Sequence, residues 1–340
     1  GAVVTADGRY LFVALETSRE VAVYNLEQGY QLTRLATGIA PQGLALSADG
    51  ERLLIHNFMD RSLQSYDLGP ILLDNLPQAN ALNVVDLVAS EALSPDVLLG
   101  KQLFYDAADD RLARDNYMSC ASCHNDGGHD GRVWDLTSLG EGVRNTIDLT
   151  GKGVGHGRIH WTGNFDEVQD FESQIRLLAG GTGLVDDSEF DLADDPLSTD
   201  RAGLSADLDA LASYLASLDG HPASPFNDGS LSTAATAGQA VYQLENCAGC
   251  HSGDRRTDSA AGVVHDIGTL TAATGSSSQG PVFGIDTPTL DFLWATAPYL
   301  HNGAALSIAE AILAHDNLTV TEQEAVELEF YLLESDAGRP

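Results

Sequence analysis

Lysine is almost missing: only Lys101 and Lys152 occur in 340 residues, and 17 basic residues face 50 acidic ones, for a net charge of −33. A chain this acidic lacks the basic groups that nucleic-acid phosphates need, so nucleic acid is not expected as a partner. Its field instead attracts cations and basic proteins, small basic electron carriers among them. Solubility or adaptation to salt is an equally good reason for the same charge. No run of about 20 apolar residues occurs, so no membrane span is expected. No charged-then-apolar leader opens the sequence either: Gly1 leads directly into a strand-like segment, as in a mature or truncated product. Methionine is confined to Met59 and Met118, and cysteine to four positions.

All four cysteines fall in two pentapeptides, CASCH at Cys120, Cys123 and His124, and CAGCH at Cys247, Cys250 and His251. This pattern supplies two thiols for the vinyl groups of a haem and an adjacent histidine to ligate its iron. A four-cysteine zinc site is the competing reading. It is disfavoured because 123 residues lie between Cys123 and Cys247 and because zinc leaves the repeated histidine unexplained. Two covalent haem c groups are therefore expected, with His124 and His251 as proximal iron ligands and no disulfides. Because bacteria attach haem c outside the cytoplasm, an extracytoplasmic location is expected too, whether periplasmic, cell-surface or secreted.

The first stretch contains a repeat, ADGRYLFVALETSREVAVYNL against ADGERLLIHNFMDRSLQSYDL, with Asp7-Gly8 and Asp49-Gly50 spaced 42 residues apart. That is about the length of a propeller blade, and each copy reads as a turn, an apolar strand, a polar turn and a second strand. The copies resemble YVTN-type surface-layer propeller repeats, which implies a scaffolding or docking role. Two blades cannot close a propeller, so either more blades precede Gly1 or the fragment packs on something else. Helical signals follow. Ser94-Pro95 starts one helix, residues Leu208, Leu211, Tyr214, Leu215 and Leu218 recur at helical spacing, a helix from about Thr233 enters the second motif, and Thr321 with Glu324 forms a capping box. The expected fold is mainly α: a propeller-blade fragment over residues 1–70, a first cytochrome c-like domain over 71–220 and a second over 221–340.

Two CxxCH motifs followed by TPTLDFLWATAPYLHNG resemble the bacterial di-haem cytochrome c peroxidase and MauG superfamily over roughly Leu93 to Leu333. The resemblance implies a calcium ion held by Asn145, Thr296 and Pro298, a hard cation suited to carbonyl oxygens. It also implies that Trp161, in HWTGN, helps electrons pass between the haems. Family members ligate the second iron with Met or Tyr in the helix after the TAPYxHxG signature. Neither methionine here lies in that region, and His315 stands at the matching position, which implies bis-histidine ligation with His251 and a lowered potential. His301, inside the signature, is placed near a haem edge as a hydrogen-bonding group.

The first haem is the candidate for peroxide chemistry, which needs an openable iron position and a distal acid or base. Where the family places a distal Glu, this sequence has Gly180, Gly181 and Gly183. Glu172 is the substitute, with Asp170 beside it and Arg176 one turn on, although a plain surface ion pair between Glu172 and Arg176 is an even alternative. His129, in a glycine-rich loop, is a candidate gating ligand, and His156 and His160 are further candidates near the first iron. Three functions compete. One is a di-haem peroxidase drawing electrons from a small carrier to reduce hydrogen peroxide. Another is a MauG-like enzyme oxidising a Trp or Tyr of a partner protein. The third is a non-catalytic di-haem electron-transfer protein. The HWTGN segment also resembles that of di-haem rubber oxygenases.

Overall fold

The computed structural model describes residues 1–152, 156–191, 194–277 and 280–338. The chain divides into two compact units, one made of Gly1–Ser122 with Gln174–Leu184, the other of Cys123–Ser173 with Val185–Pro340.

The first unit opens with two four-stranded antiparallel meanders. Strands β1 (Ala2–Val4), β2 (Tyr10–Leu15), β3 (Glu20–Asn25) and β4 (Tyr30–Ala36) form one sheet. The other contains β5 (Pro41–Leu46), β6 (Arg52–Asn57), β7 (Ser62–Asp67) and β8 (Asn80–Asp86), with a short helix α1 (Gly69–Asp74) between its last two strands. The sequence repeat is the central pair of each sheet. Its ADG turns are built alike: Thr5 and Ser47 hydroxyls donate to Asp7 and Asp49, whose carboxylates accept the amides of Arg9 and Glu51. Alternating apolar positions then bury Tyr10, Phe12, Val21, Val23, Leu53, Ile55 and Tyr66 in one core, closed by Leu68 and Ile71.

The second meander therefore runs to Asp86, past the boundary expected at residue 70. Strand β8 is exposed at all seven positions, so its sequence carries no inward-outward alternation by which to recognise it. Helix α2 (Pro95–Phe104) begins as expected, with the Ser94 hydroxyl accepting from the Val97 amide. The segment after it is tied to the β2–β3 turn by the Arg19–Asp106 ion pair and by the Ala107 amide donating to the Thr17 carbonyl at 2.8 Å.

The second unit holds the remaining regular elements. Hairpin strands β9 (Val133–Asp135) and β10 (Val143–Asn145) precede helix α3 (Glu172–Leu177), which runs across the point where the chain re-enters the first unit. Helices α4 (Ala206–Ala216) and α5 (Thr233–Leu244) follow, capped by Ser205 and Ser232. Then come the two-residue strands β11 (Val264–His265), β12 (Ser276–Ser277), β13 (Gly280–Pro281) and β14 (Ile285–Asp286), paired β11 with β14 and β12 with β13. Helices α6 (Ile308–Leu313) and α7 (Glu322–Ser335) close the chain, both with full capping boxes.

Helix α5 lies antiparallel to α7, because Ser232 at the start of α5 bonds Glu334 near the end of α7. They pack so closely that a Cβ on Gly238 would sit 2.0 Å from the Glu327 carbonyl oxygen, which only glycine avoids. Beyond these helices the unit is largely turns and short 3-10 segments. Helix thus carries less of the chain than a mainly α reading implies, because these walls follow no apolar period.

Candidate functional site

Helix α5 delivers the second motif. Val241 packs in a core with Ile308, Ile312, Ala325, Leu328 and Leu332, and the helix ends at Leu244, just before the 3-10 turn Cys247–Gly249. The Tyr242 hydroxyl donates to the His251 carbonyl at 2.8 Å and fixes the backbone at the ligand. His251 Nδ1 is 3.2 Å from the Arg256 carbonyl oxygen, so it carries the proton and leaves Nε2 for iron. His315, just past the end of α6, is held the same way, with Nδ1 2.9 Å from the Ala311 carbonyl. Burial lowers both histidines, His251 to about 4, and the two rings lie close enough that His315 adds to the shift. Both are therefore neutral imidazoles at ordinary pH, the form that binds metal.

These two rings, Cys247 and Cys250 line one cavity of about 240 Å3, walled by Ile285, Leu290, Leu293, Ile308, Ile312 and Leu328. An apolar slot with two thiols at its edge and two neutral histidines, each with its Nδ1 committed, fits a covalently attached bis-histidine haem. The residues expected to hold calcium and carry electrons meet in the same wall. Asn145 Nδ2 donates to the Pro298 carbonyl at 2.5 Å, while Asn145 Oδ1 is buried with no partner among the described residues. Trp161, half-buried, donates its indole N–H to the Asn145 carbonyl at 2.7 Å. Thr296 also lines the cavity. His301, only 2% exposed, pairs Nε2 with the Thr274 hydroxyl at 3.1 Å, so that nitrogen is engaged by a protein group.

His124 is held by the same device, with Nδ1 3.2 Å from the Gly128 carbonyl. The loop that makes this bond turns at Gly127, whose φ is +78° and where a Cβ would come within 2.5 Å of Leu218. Burial lowers His124 too, opposed by the backbone carbonyls of Gly128 and Ile147 and by the charge of Asp148. Ile147 and Asp148 also line the Cys247–Cys250 cavity, so residues 145–148 run from His124 to the second site.

Residues 94–182 match the family of di-haem cytochrome c peroxidases, and residues 284–317 match a RoxA-like, cytochrome c-like family. Among curated proteins the chain is similar to the hydrazine synthase gamma subunit of Kuenenia stuttgartiensis, 29% identical over 67% of this chain and 70% of that one. It is also similar to the methylamine utilization protein MauG of Methylophilus methylotrophus, 26% identical over 74% and 82% of the respective chains. Over these segments the chain is similar to the di-haem cytochrome c peroxidase and MauG superfamily. A solved structure of Kuenenia stuttgartiensis hydrazine synthase has the same fold, at a TM-score of 0.51 and 24% identity over 72% of this chain and 88% of that one. That likeness supports haem c cofactors and di-haem oxidoreductase chemistry.

The remaining expected residues are placed unevenly. Asp170 is wholly buried in an ion pair with Arg201 at 2.5 Å and serves as the last residue of the capping box begun by Glu167. Glu172 is also wholly buried and accepts the Val185 amide at 3.3 Å. Arg176 lies in the segment Gln174–Leu184 of the other unit. His129 has both ring nitrogens engaged, with the Ala295 carbonyl at 2.9 Å and the Gly131 amide at 3.1 Å. His160 bonds Asn164 and stacks on Phe165 at 5.3 Å, whereas His156 bonds the Arg158 carbonyl and keeps Nε2 buried with no partner among the described residues. Sequence reasoning missed Tyr242 and Arg256, which orient His251, and also Lys152 and Asp286, which line the second cavity. Only Lys152 carried a signal, as one of two lysines.

Proposed function

We propose that the first haem, on Cys120, Cys123 and His124, reduces hydrogen peroxide while the second, ligated by His251 and His315, passes the electrons in. On this reading the chain that follows the second meander, as far as residue 220, supplies the peroxidatic haem and residues 221–340 the electron-transfer haem. The paired commitment of the His251 and His315 Nδ1 atoms around one cavity carries the proposal, because a site closed by two histidines suits electron transfer rather than substrate binding. Trp161 and the segment from Asn145 to Asp148 supply the path. His129, with both nitrogens engaged, leaves the first iron openable.

Haem iron supplies the redox chemistry and the position for peroxide. The protein supplies proton transfer: a Glu172 carboxylate oxygen takes the proton from one peroxide oxygen and returns it to the other as the bond between them breaks. The two electrons that complete reduction to two waters come from a small carrier protein or from a Trp or Tyr of a protein substrate, and the two protons that the balance needs come from solvent. Asn145 Oδ1, unpartnered beside the Pro298 carbonyl, supports the calcium site, since turning the amide over would aim two oxygens at one point, where a hard cation is needed. The location is extracytoplasmic, where haem c is attached. Stopped-flow mixing with hydrogen peroxide tests the reading: Glu172→Gln should slow the reaction by about 10²-fold or more. An unchanged rate would remove Glu172 from the mechanism, and a wild-type protein inert to peroxide would make the chain an electron carrier.

A further inference from the structure

We propose that Lys152 and Asp286 together form a carboxylate-binding subsite in the cavity behind Cys247 and Cys250, filled by a propionate of the haem those cysteines carry. The proposal rests on reading that cavity as a haem site. A haem brings two carboxylates with it, and a carboxylate taken from water without a partner is strongly disfavoured. Glu245, Asp148, Asp286 and Asp291 line the cavity alongside Lys152, which is its one Lys or Arg among the described lining residues. No hydrogen bond or ion pair engages the Lys152 ammonium among the described residues. A cation that lines an apolar slot with no hydrogen bond or ion pair to a described residue, in a chain of net charge −33, points to an anion that arrives later.

Asp286 supplies the second, independent observation. It is 4% exposed, on the two-residue strand β14, with its amide donating to the Trp161 carbonyl at 2.9 Å. Its Oδ2 accepts the Ser259 hydroxyl at 2.8 Å, but its Oδ1 is buried with no partner among the described residues and so remains to be satisfied. Burial pushes Asp286 up to about 7, against the pull of Arg158 and Lys152 and with a further push from Asp258. Near neutral pH its carboxyl therefore holds a proton much of the time and can donate it to a propionate oxygen. Lys152, lowered to about 8 by burial and held up by Asp148 and Asp286, is still mostly charged there. An ammonium and a carboxyl O–H converging on one carboxylate make a two-point grip.

The same grip tunes the iron, because a nearby cation favours the added electron and a titrating carboxyl takes up a proton as the electron arrives. Reduction potentials of the intact di-haem protein should be measured from pH 5.5 to 8.5 by spectroelectrochemistry, with haem at the Cys247–Cys250 peptide counted by mass spectrometry. Lys152→Met should lower the equilibrium constant for reducing the second haem about tenfold, or about 59 mV for one electron, and Lys152→Arg should restore it. Asp286→Asn should flatten the fall of that potential with pH around neutrality. Variants that keep the haem and show the wild-type potential and slope would overturn the proposal. Wild-type protein with no haem on Cys247 and Cys250 would instead overturn the haem reading beneath it, before any variant is made.

Discussion

Replacing Arg201 by Met should destabilise the second unit more than any surface change, although Arg201 touches neither haem motif. The guanidinium meets Asp170 Oδ1 at 2.5 Å, and the two side chains are 3% and 0% exposed. The other carboxylate oxygen accepts only the Asp166 and Glu167 amides at 3.2 and 3.4 Å, while Arg201 also stacks on Phe190 at 5.3 Å. Met fills the volume but leaves a buried carboxylate without its cation, a loss of about 3–5 kcal/mol. Adding Asp170→Asn should recover a large part of it, because a carboxamide needs no countercharge. Trp134, Trp161 and Trp294 all belong to the second unit, so loss of haem quenching during urea unfolding reports that unit. A cost below about 1 kcal/mol for Arg201→Met, or a double variant as unstable as the sum of the single ones, would mean that the buried Asp170 carboxylate does not depend on Arg201. The result also bears on chemistry: if Asp170 belongs to this ion pair and turn, Asp170→Asn should leave the rate with peroxide close to wild type in whatever fraction stays folded.

In the first unit, Leu53→Ala should cost about 2–5 kcal/mol by urea unfolding followed by circular dichroism, because Leu53 is fully buried between the meanders. Thr321→Ala should cost about 1 kcal/mol by removing the cap of α7, read from the urea midpoint of the tryptophan signal. Chelation of calcium should change the electronic coupling between the haems, seen as altered optical spectra after peroxide, and Asn145→Ala should make the protein insensitive to the chelator. A chelator effect that survives in the Asn145 variant would move the ion elsewhere.

What could be read from sequence was whatever is encoded in fixed spacing. The two CxxCH motifs, the repeat around Asp7 and Asp49, and the caps at Ser94, Ser205, Ser232 and Thr321 are local patterns, and local hydrogen bonds enforce them. Strand β8 escaped because it is exposed throughout, and its partner β7 is separated from it by α1. Lys152 and Asp286 escaped for another reason: they lie far apart in sequence and meet only once residues 145–152 and 285–291 contribute to the wall of the same cavity. Asp170 shows the converse. Its chemistry is that of an acid catalyst on paper, yet burial beside Arg201 gives its lone pairs to structure.

The central claim is that one haem is closed by His251 and His315 while the other can open to peroxide. Electron paramagnetic resonance of the ferric protein, before and after hydrogen peroxide, tests it most directly. A high-spin signal and a bis-histidine low-spin signal are expected, both altered by peroxide, with the low-spin signal converted to high-spin in His315→Ala. Two low-spin signals indifferent to peroxide, or a low-spin signal unchanged by loss of His315, would contradict it.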